Sequence, residues 1–215
     1  MRVAVLSESA ADEAAIRILI DGLLGRPTQA VGLPSLRTRG WPAVLQVIPA
    51  VLSHLHYQTH ADAFVVVVDA NHSPMHQATH EQLGGIECTC RLCQLRERVA
   101  QTQSRLRFVP ERQPQIIQTA IGIAVPAIEA WYRCAVDPHV SEATWVQNLQ
   151  AGTYAHIKNR LKQEVYGTER PPLELEIQRA SEHTHHLAPH LSMLEGLFPI
   201  GFGALAHDVR RWLGS

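Results

Sequence analysis

"FVVVVDANHS", residues 64–73, decides the fold. Five apolar residues, Phe64 to Val68, run without alternation and then give way at once to Asp69, Ala70, Asn71 and His72. An unbroken, Val-rich run predicts a strand buried on both faces, as in a parallel sheet covered by helices. In such sheets ligands sit outside the carboxyl ends of the strands. The abrupt polar end of this run is therefore either an exit from the core or the edge of a site.

The flanking sequence fits the same frame. "RVAVLS" (2–7) reads as a second buried strand, followed by a helix over 11–25 with Ile16, Leu19, Ile20, Leu23 and Leu24 at helical spacing and Gly25 as a cap. Residues 26–40, rich in Gly, Pro and Arg, read as a loop. A helix is expected over 41–58, with Pro42 in its first turn and a kink or break at Pro49. Beyond the opening stretch, 71–87 is irregular and His-rich, "CRLCQLRERVAQTQSR" is helical, and 105–109 and 115–125 read as further strands. Pro126 opens another helix, and residues 141–215 show helical patches without a strand. The expected organisation is an α/β domain over 1–140, carrying a Cys/His-rich insertion at 71–97, with a helical part over 141–215 packed on it.

Composition narrows the function classes. The 215 residues are 46% apolar and 18% charged, with net charge −1, so the chain is globular and carries no global basic field. No stretch approaches the roughly 20 apolar residues of a membrane span, and the first residues lack the apolar length of a signal peptide. A cytoplasmic protein without a membrane partner is expected. In that setting four cysteines point to metal ligands or free thiols rather than disulfides. Composition sets no oligomeric state.

Glu8 lies just past the first strand, Asp69 and Asn71 just past the second, and Glu129 just past the strand ending at Val125. If those strands are neighbours, their polar ends converge. Each residue also has a plainer reading: Glu8 as a cap for the next helix, Asp69 as a turn acceptor, Glu129 as a first-turn acid.

Here the chain resembles a known family. "VLSESAAD", with Glu8 and Asp12, resembles the first motif of TOPRIM domains, in which a Glu and an Asp four positions later follow the first strand. "VVVVDAN" resembles the second motif, a strand ending in Asp-x-Asp. "IAVPAIEAWYRC", "LKQEVYG" and "FPIGFGALAHDVRRW" resemble a group of small bacterial TOPRIM-like proteins related to the nuclease half of overcoming-lysogenization-defect (OLD) proteins. The resemblance implies a TOPRIM/Rossmann-like, largely parallel sheet. It also implies a Mg²⁺- or Mn²⁺-dependent nuclease or phosphodiester-handling protein, set in defence against phage or mobile DNA, with an ATPase or other protein partner. It assigns Glu8, Asp12, Asp69 and Glu129 to catalysis and Glu8, Asp69 and Asn71 to the metal, with Glu13 competing for the place of Asp12. Asn71 departs from the family pattern, because it stands where the second Asp belongs and brings no charge. The alternative is therefore a non-catalytic, zinc-stapled module that binds nucleic acid or a protein. A nucleotide- or phosphate-binding enzyme outside this group is disfavoured, because no Gly-rich phosphate loop follows the first strand.

"NHSPMHQATHEQLGGIECTCRLCQLRE" (71–97) is a second constellation. Cys88, Cys90 and Cys93 with His80, or with His76 in its place, offer a closed tetrahedral zinc site of structural type. Cys134 reads as core. His183, His186 and His190 share helical spacing but read as a solvated face. Basic residues at 37, 39, 91, 96, 98, 105, 107, 158, 160, 162, 210 and 211 could meet phosphates. Nothing in the sequence reads bases, so a DNA or RNA partner would be bound without sequence preference.

Overall fold

The computed structural model describes residues 1–34, 40–77, 79–80, 88–111, 116–152 and 154–214, with the backbone alone at 154–158. Arg37, Arg39 and the side chain of Lys158 lie outside the described residues. The elements run β1 (Arg2–Leu6), α1 (Ala10–Leu24), β2 (Gln29–Ala30), α2 (Ala43–Gln58), β3 (Ala63–Asp69), α3 (Arg91–Gln103) and β4 (Gln118–Ala124). There follow α4 (Ile128–Cys134), α5 (Glu142–Gln150), α6 (Tyr154–Tyr166), α7 (Leu173–Leu187), α8 (Leu191–Leu197) and α9 (Phe202–Arg211).

The four strands form one parallel sheet in the order β2-β1-β3-β4. The Val run is β3, near the middle of the sheet, and its first six residues are buried. The chain moves from β1 outward to β2, then crosses back to β3 and on to β4. Right-handed crossovers in opposite directions put α1 on one face and α2 and α3 on the other. Packing agrees: α2 lies against α3, whereas α1 lies against α7 and α9, and α9 covers β4. The direction reverses between β1 and β3, which opens the ligand-binding crevice of such sheets at their carboxyl ends.

Local chemistry accounts for the elements that frame this crevice. Ser9 caps α1, its hydroxyl accepting the Asp12 N–H at 3.1 Å, and Gly25 closes the helix at φ 64°. Glu142 is buried, and its carboxylate accepts the N–H groups of Ile200 (2.9 Å) and Gly201 (2.5 Å), tying α5 to the start of α9. A Cβ at Gly201 would lie 2.0 Å from the Ile123 carbonyl oxygen, so this approach of α9 to β4 requires glycine.

Two expectations are corrected. Residues 105–109 do not form a strand: they leave α3 through a turn and run without regular structure. The hydrogen bonds of Arg107 go to side chains, its N–H to the Tyr57 hydroxyl (2.8 Å) and its carbonyl to His56 Nε2 (2.9 Å), and Phe108 is 73% exposed. β4 takes the place beside β3 that this segment would need. Conversely, the loop over 26–40 contains a two-residue strand, β2, too short and too exposed to show periodicity. Pro49 does not end its helix, and the burial of Ile48, Val51, Leu52 and Leu55 around it carries α2 through. No described helix is long and apolar enough to cross a membrane.

Candidate functional site

The carboxyl ends of β1 and β3 meet through their acids. Glu8 does not cap α1. Its Oε1 accepts the Asp69 backbone N–H at 3.1 Å, and its carboxylate also accepts the Trp41 N–H. Ser7, buried behind it, donates to the Val67 carbonyl at 2.7 Å and lies 3.4 Å from Asp12 Oδ2. Asp69 Oδ1 in turn accepts the N–H of Ile128, the first residue of α4, at 3.1 Å. That bond positions Glu129, which is buried and lies 3.9 Å from Lys162 Nζ. Asp69 thus ties the end of β3 to the start of α4.

Electrostatics shows the convergence. Burial pushes the Glu8 carboxyl up, Asp69 pushes it further, and Arg91 opposes both. Asp12 rises well above the usual carboxylate range, first through burial, then through Asp69, Glu129 and Glu8. Four carboxyl groups from β1–α1, β3 and α4 therefore feel one another. Glu13 neighbours Arg17 instead, so Asp12 rather than Glu13 faces the crevice.

Asn71 sits at φ 49°, a left-handed turn that Asn tolerates better than most residues, and its N–H donates to the Pro126 carbonyl at 3.0 Å.

Two tyrosines also belong to the crevice, and the sequence did not single them out. Tyr132, on α4, is buried, and its hydroxyl meets no hydrogen-bond partner among the described residues. Burial, followed by Asp12, Tyr166, Glu129 and Asp69, pushes its hydroxyl well above the ordinary range. Tyr166 is raised by burial, then by Glu129 and Asp12. Both stay protonated at neutral pH and can donate. The signal available in the sequence was only their helical spacing, which reads as core. Of the histidines expected on a solvated face, His186 and His190 are exposed, while the His183 ring stacks on Tyr132 with centroids 6.1 Å apart.

The second constellation is more compact. Ligand atoms of His76, His80, Cys90 and Cys93 all lie within 4.8 Å of one another, so this group could hold a metal such as zinc. His76 Nδ1 is 3.3 Å from Cys93 Sγ and 3.7 Å from Cys90 Sγ. Zn–S of about 2.3 Å and Zn–N of about 2.0 Å at a tetrahedral angle require roughly 3.5 Å between such atoms. The donor set of two imidazoles and two thiols suits zinc. Among the described residues no other such group occurs, and the four carboxylates do not form one.

The expected ligand Cys88 is replaced. Both His76 and His80 join Cys90 and Cys93, and Cys88 stays outside the four, bonding to the Cys90 and Cys93 thiols. The reason is local. Cys90 caps α3, its sulfur accepting the Cys93 N–H at 3.4 Å, so this pair is preset by a helix start. Burial pushes up the thiols of Cys90 and Cys93, and the thiols beside them push Cys93 higher still. For Cys88, hydrogen bonds to Cys90 and Cys93 outweigh burial and lower it. Residues 78 and 81–87 of the insertion lie outside the described residues.

Fold and site together define an α/β protein with a four-stranded parallel sheet, helices on both faces, and a Cys/His group able to bind metal. Compared with known protein families, curated proteins and solved structures, the chain matches none.

Proposed function

We propose that the chain is a TOPRIM-like, divalent-metal-dependent phosphodiester-handling protein, a nuclease acting on DNA or RNA without sequence preference. The observation that carries this reading is the mutual electrostatic influence of Glu8, Asp12, Asp69 and Glu129 at the β1/β3 crevice. Acids that raise one another's proton affinity are relieved by a cation, and an all-oxygen donor set suits a hard one. Mg²⁺ keeps several of its waters, so a set more open than the Cys/His quartet is compatible with it. Such an ion, when bound, would supply Lewis acidity at a phosphate and an acidified water. Glu8 and Asp69, held by backbone N–H groups, would orient it. Defence against phage or mobile DNA, a cytoplasmic setting and an ATPase or other protein partner belong to the same proposal.

Purified protein with Mg²⁺ or Mn²⁺ is expected to cleave single- or double-stranded DNA or RNA. Glu8→Gln and Asp69→Asn should each lower the rate by about 10²–10⁴-fold. The absence of cleavage across these substrates and metals would sink the nuclease reading. The second reading is a non-catalytic, zinc-stapled binding module. It is favoured by the Cys/His quartet being, among the described residues, the one group found that could hold a metal. It predicts nucleic-acid or protein binding that survives Asp69→Asn.

A further inference from the structure

The two constellations are joined by one side chain. Arg91 is the first residue of α3 and lies between two members of the Cys/His group, Cys90 and Cys93. Its guanidinium turns away from the sulfurs into the crevice. Nη1 donates to the Asp69 carbonyl at 2.5 Å and lies 3.5 Å from Glu8 Oε1, and the group stacks 4.8 Å from the centre of the Trp41 ring. Trp41 also donates its backbone N–H to Glu8. Only 14% of the Arg91 side chain is exposed.

We infer that the His76/His80/Cys90/Cys93 metal centre is a positioning device for the crevice: it fixes the start of α3 and thereby holds Arg91 against Glu8 and Asp69. The inference deepens the proposed function, and rests on it for the role of the crevice. The physical reason is covalent. Two sulfurs three residues apart, bound to one ion, fix the backbone between them, and Arg91 is in that backbone. A long segment separates β3 from α3, and near α3 the Arg91 N–H donates to the Ser73 hydroxyl at 3.0 Å while the Cys90 and Cys93 sulfurs meet His76. An ion bound by both thiols and both imidazoles would add four bonds to these contacts. With it, a guanidinium is held beside the half-buried Glu8 carboxylate and the Asp69 carbonyl. Arg91 is a positioning residue: it orients Glu8 and sets its charge environment.

Backbone hydrogen exchange of the full chain tests this without any substrate. The zinc-loaded protein is compared with protein stripped by a chelator, protein reloaded with zinc, and zinc-loaded Arg91→Met and Arg91→Lys. Stripping should speed exchange of the Asp69 and Trp41 amides by about tenfold or more, and reloading should reverse it. Arg91→Met should produce the same acceleration with its zinc content unchanged, and Arg91→Lys, which keeps the charge without the planar stack, should fall between. Core amides of α1 and β4 report whether each sample stays folded. If stripping unfolds the chain, zinc-loaded Arg91→Met decides. Crevice exchange that ignores stripping while residues 88–93 loosen, or that stays at the wild-type rate in Arg91→Met, overturns the inference. Coupling without cleavage of any nucleic acid would leave it standing and remove the nuclease reading.

Discussion

The carboxylate crevice and the Cys/His group are built in opposite ways. The crevice draws on residues from Glu8 to Glu129, carried by separate strand ends and a helix, and its members destabilise one another. The outermost members of the Cys/His group, His76 and Cys93, lie 17 residues apart, and its geometry rests on one helix start. Long-range assembly by a rigid sheet can hold like charges together, because the buried β3 and its neighbours oppose their separation. The Cys/His group gathers its ligand atoms from a segment outside the sheet, where a bound ion would add to what holds them together. The first sets like charges together on a sheet frame, and the second gathers four donors that could hold a metal.

The largest expected effect tests the second half of that contrast. Purified protein should hold about one zinc per chain that resists dialysis, as a closed four-ligand site does. Cys93→Ser or His76→Ala should abolish tight binding, since structural zinc contributes on the order of 10 kcal/mol in small sites. Cys88→Ser should keep the metal, because Cys88 lies outside the four. Elemental analysis reads all three, and zinc retained in Cys93→Ser with zinc lost in Cys88→Ser would reverse the ligand assignment.

A smaller effect tests the stored repulsion. Asp12 and Glu8 have folded-state proton affinities above the ordinary 3.8 and 4.5. The folded chain therefore binds these protons more readily than the unfolded chain, and both groups cost stability as pH rises from those values through the raised ones. Asp12→Asn should stabilise the protein at pH 7 by about 0.5–2 kcal/mol, the usual gain when a strained functional group is removed. The gain should shrink toward about pH 4 as the wild-type acid takes up its proton. Urea melts at the two pH values read it, and a gain independent of pH would show that repulsion is not its source.

The smallest effect concerns histidines outside both regions. His186→Ala should leave zinc content unchanged and shift stability within about 0.5 kcal/mol, as exposed substitutions do. Loss of metal there would mean that a third region binds ions.

Much of the crevice was legible because strand ends are legible. An unbroken Val run, a short apolar run at the N-terminus and the residues just past them are enough to nominate Glu8, Asp69 and Glu129. Tyr132 and Tyr166 were not legible, because a buried tyrosine on an amphipathic helix has the same spacing whether its hydroxyl faces core or acid. The segment 105–109 misled because "RLRFV" alternates like a strand, and alternation says nothing about whether a sheet edge remains open. The sequence favours Cys88 with His80 and sets His76 second, because spacing along the chain does not show which side chains the fold brings together, and the structure brings both histidines to Cys90 and Cys93.

By itself the sequence determined the parallel α/β class, a helix over 11–25 closed by Gly25, and a Cys/His group able to hold a metal. These are properties of local pattern and residue type. Tertiary structure alone decided that β1 and β3 are neighbours, that Asp12 rather than Glu13 faces the acids, and that Arg91 reaches from one constellation into the other. Those outcomes depend on which crossover reverses and which side chain it buries, and no local periodicity encodes either.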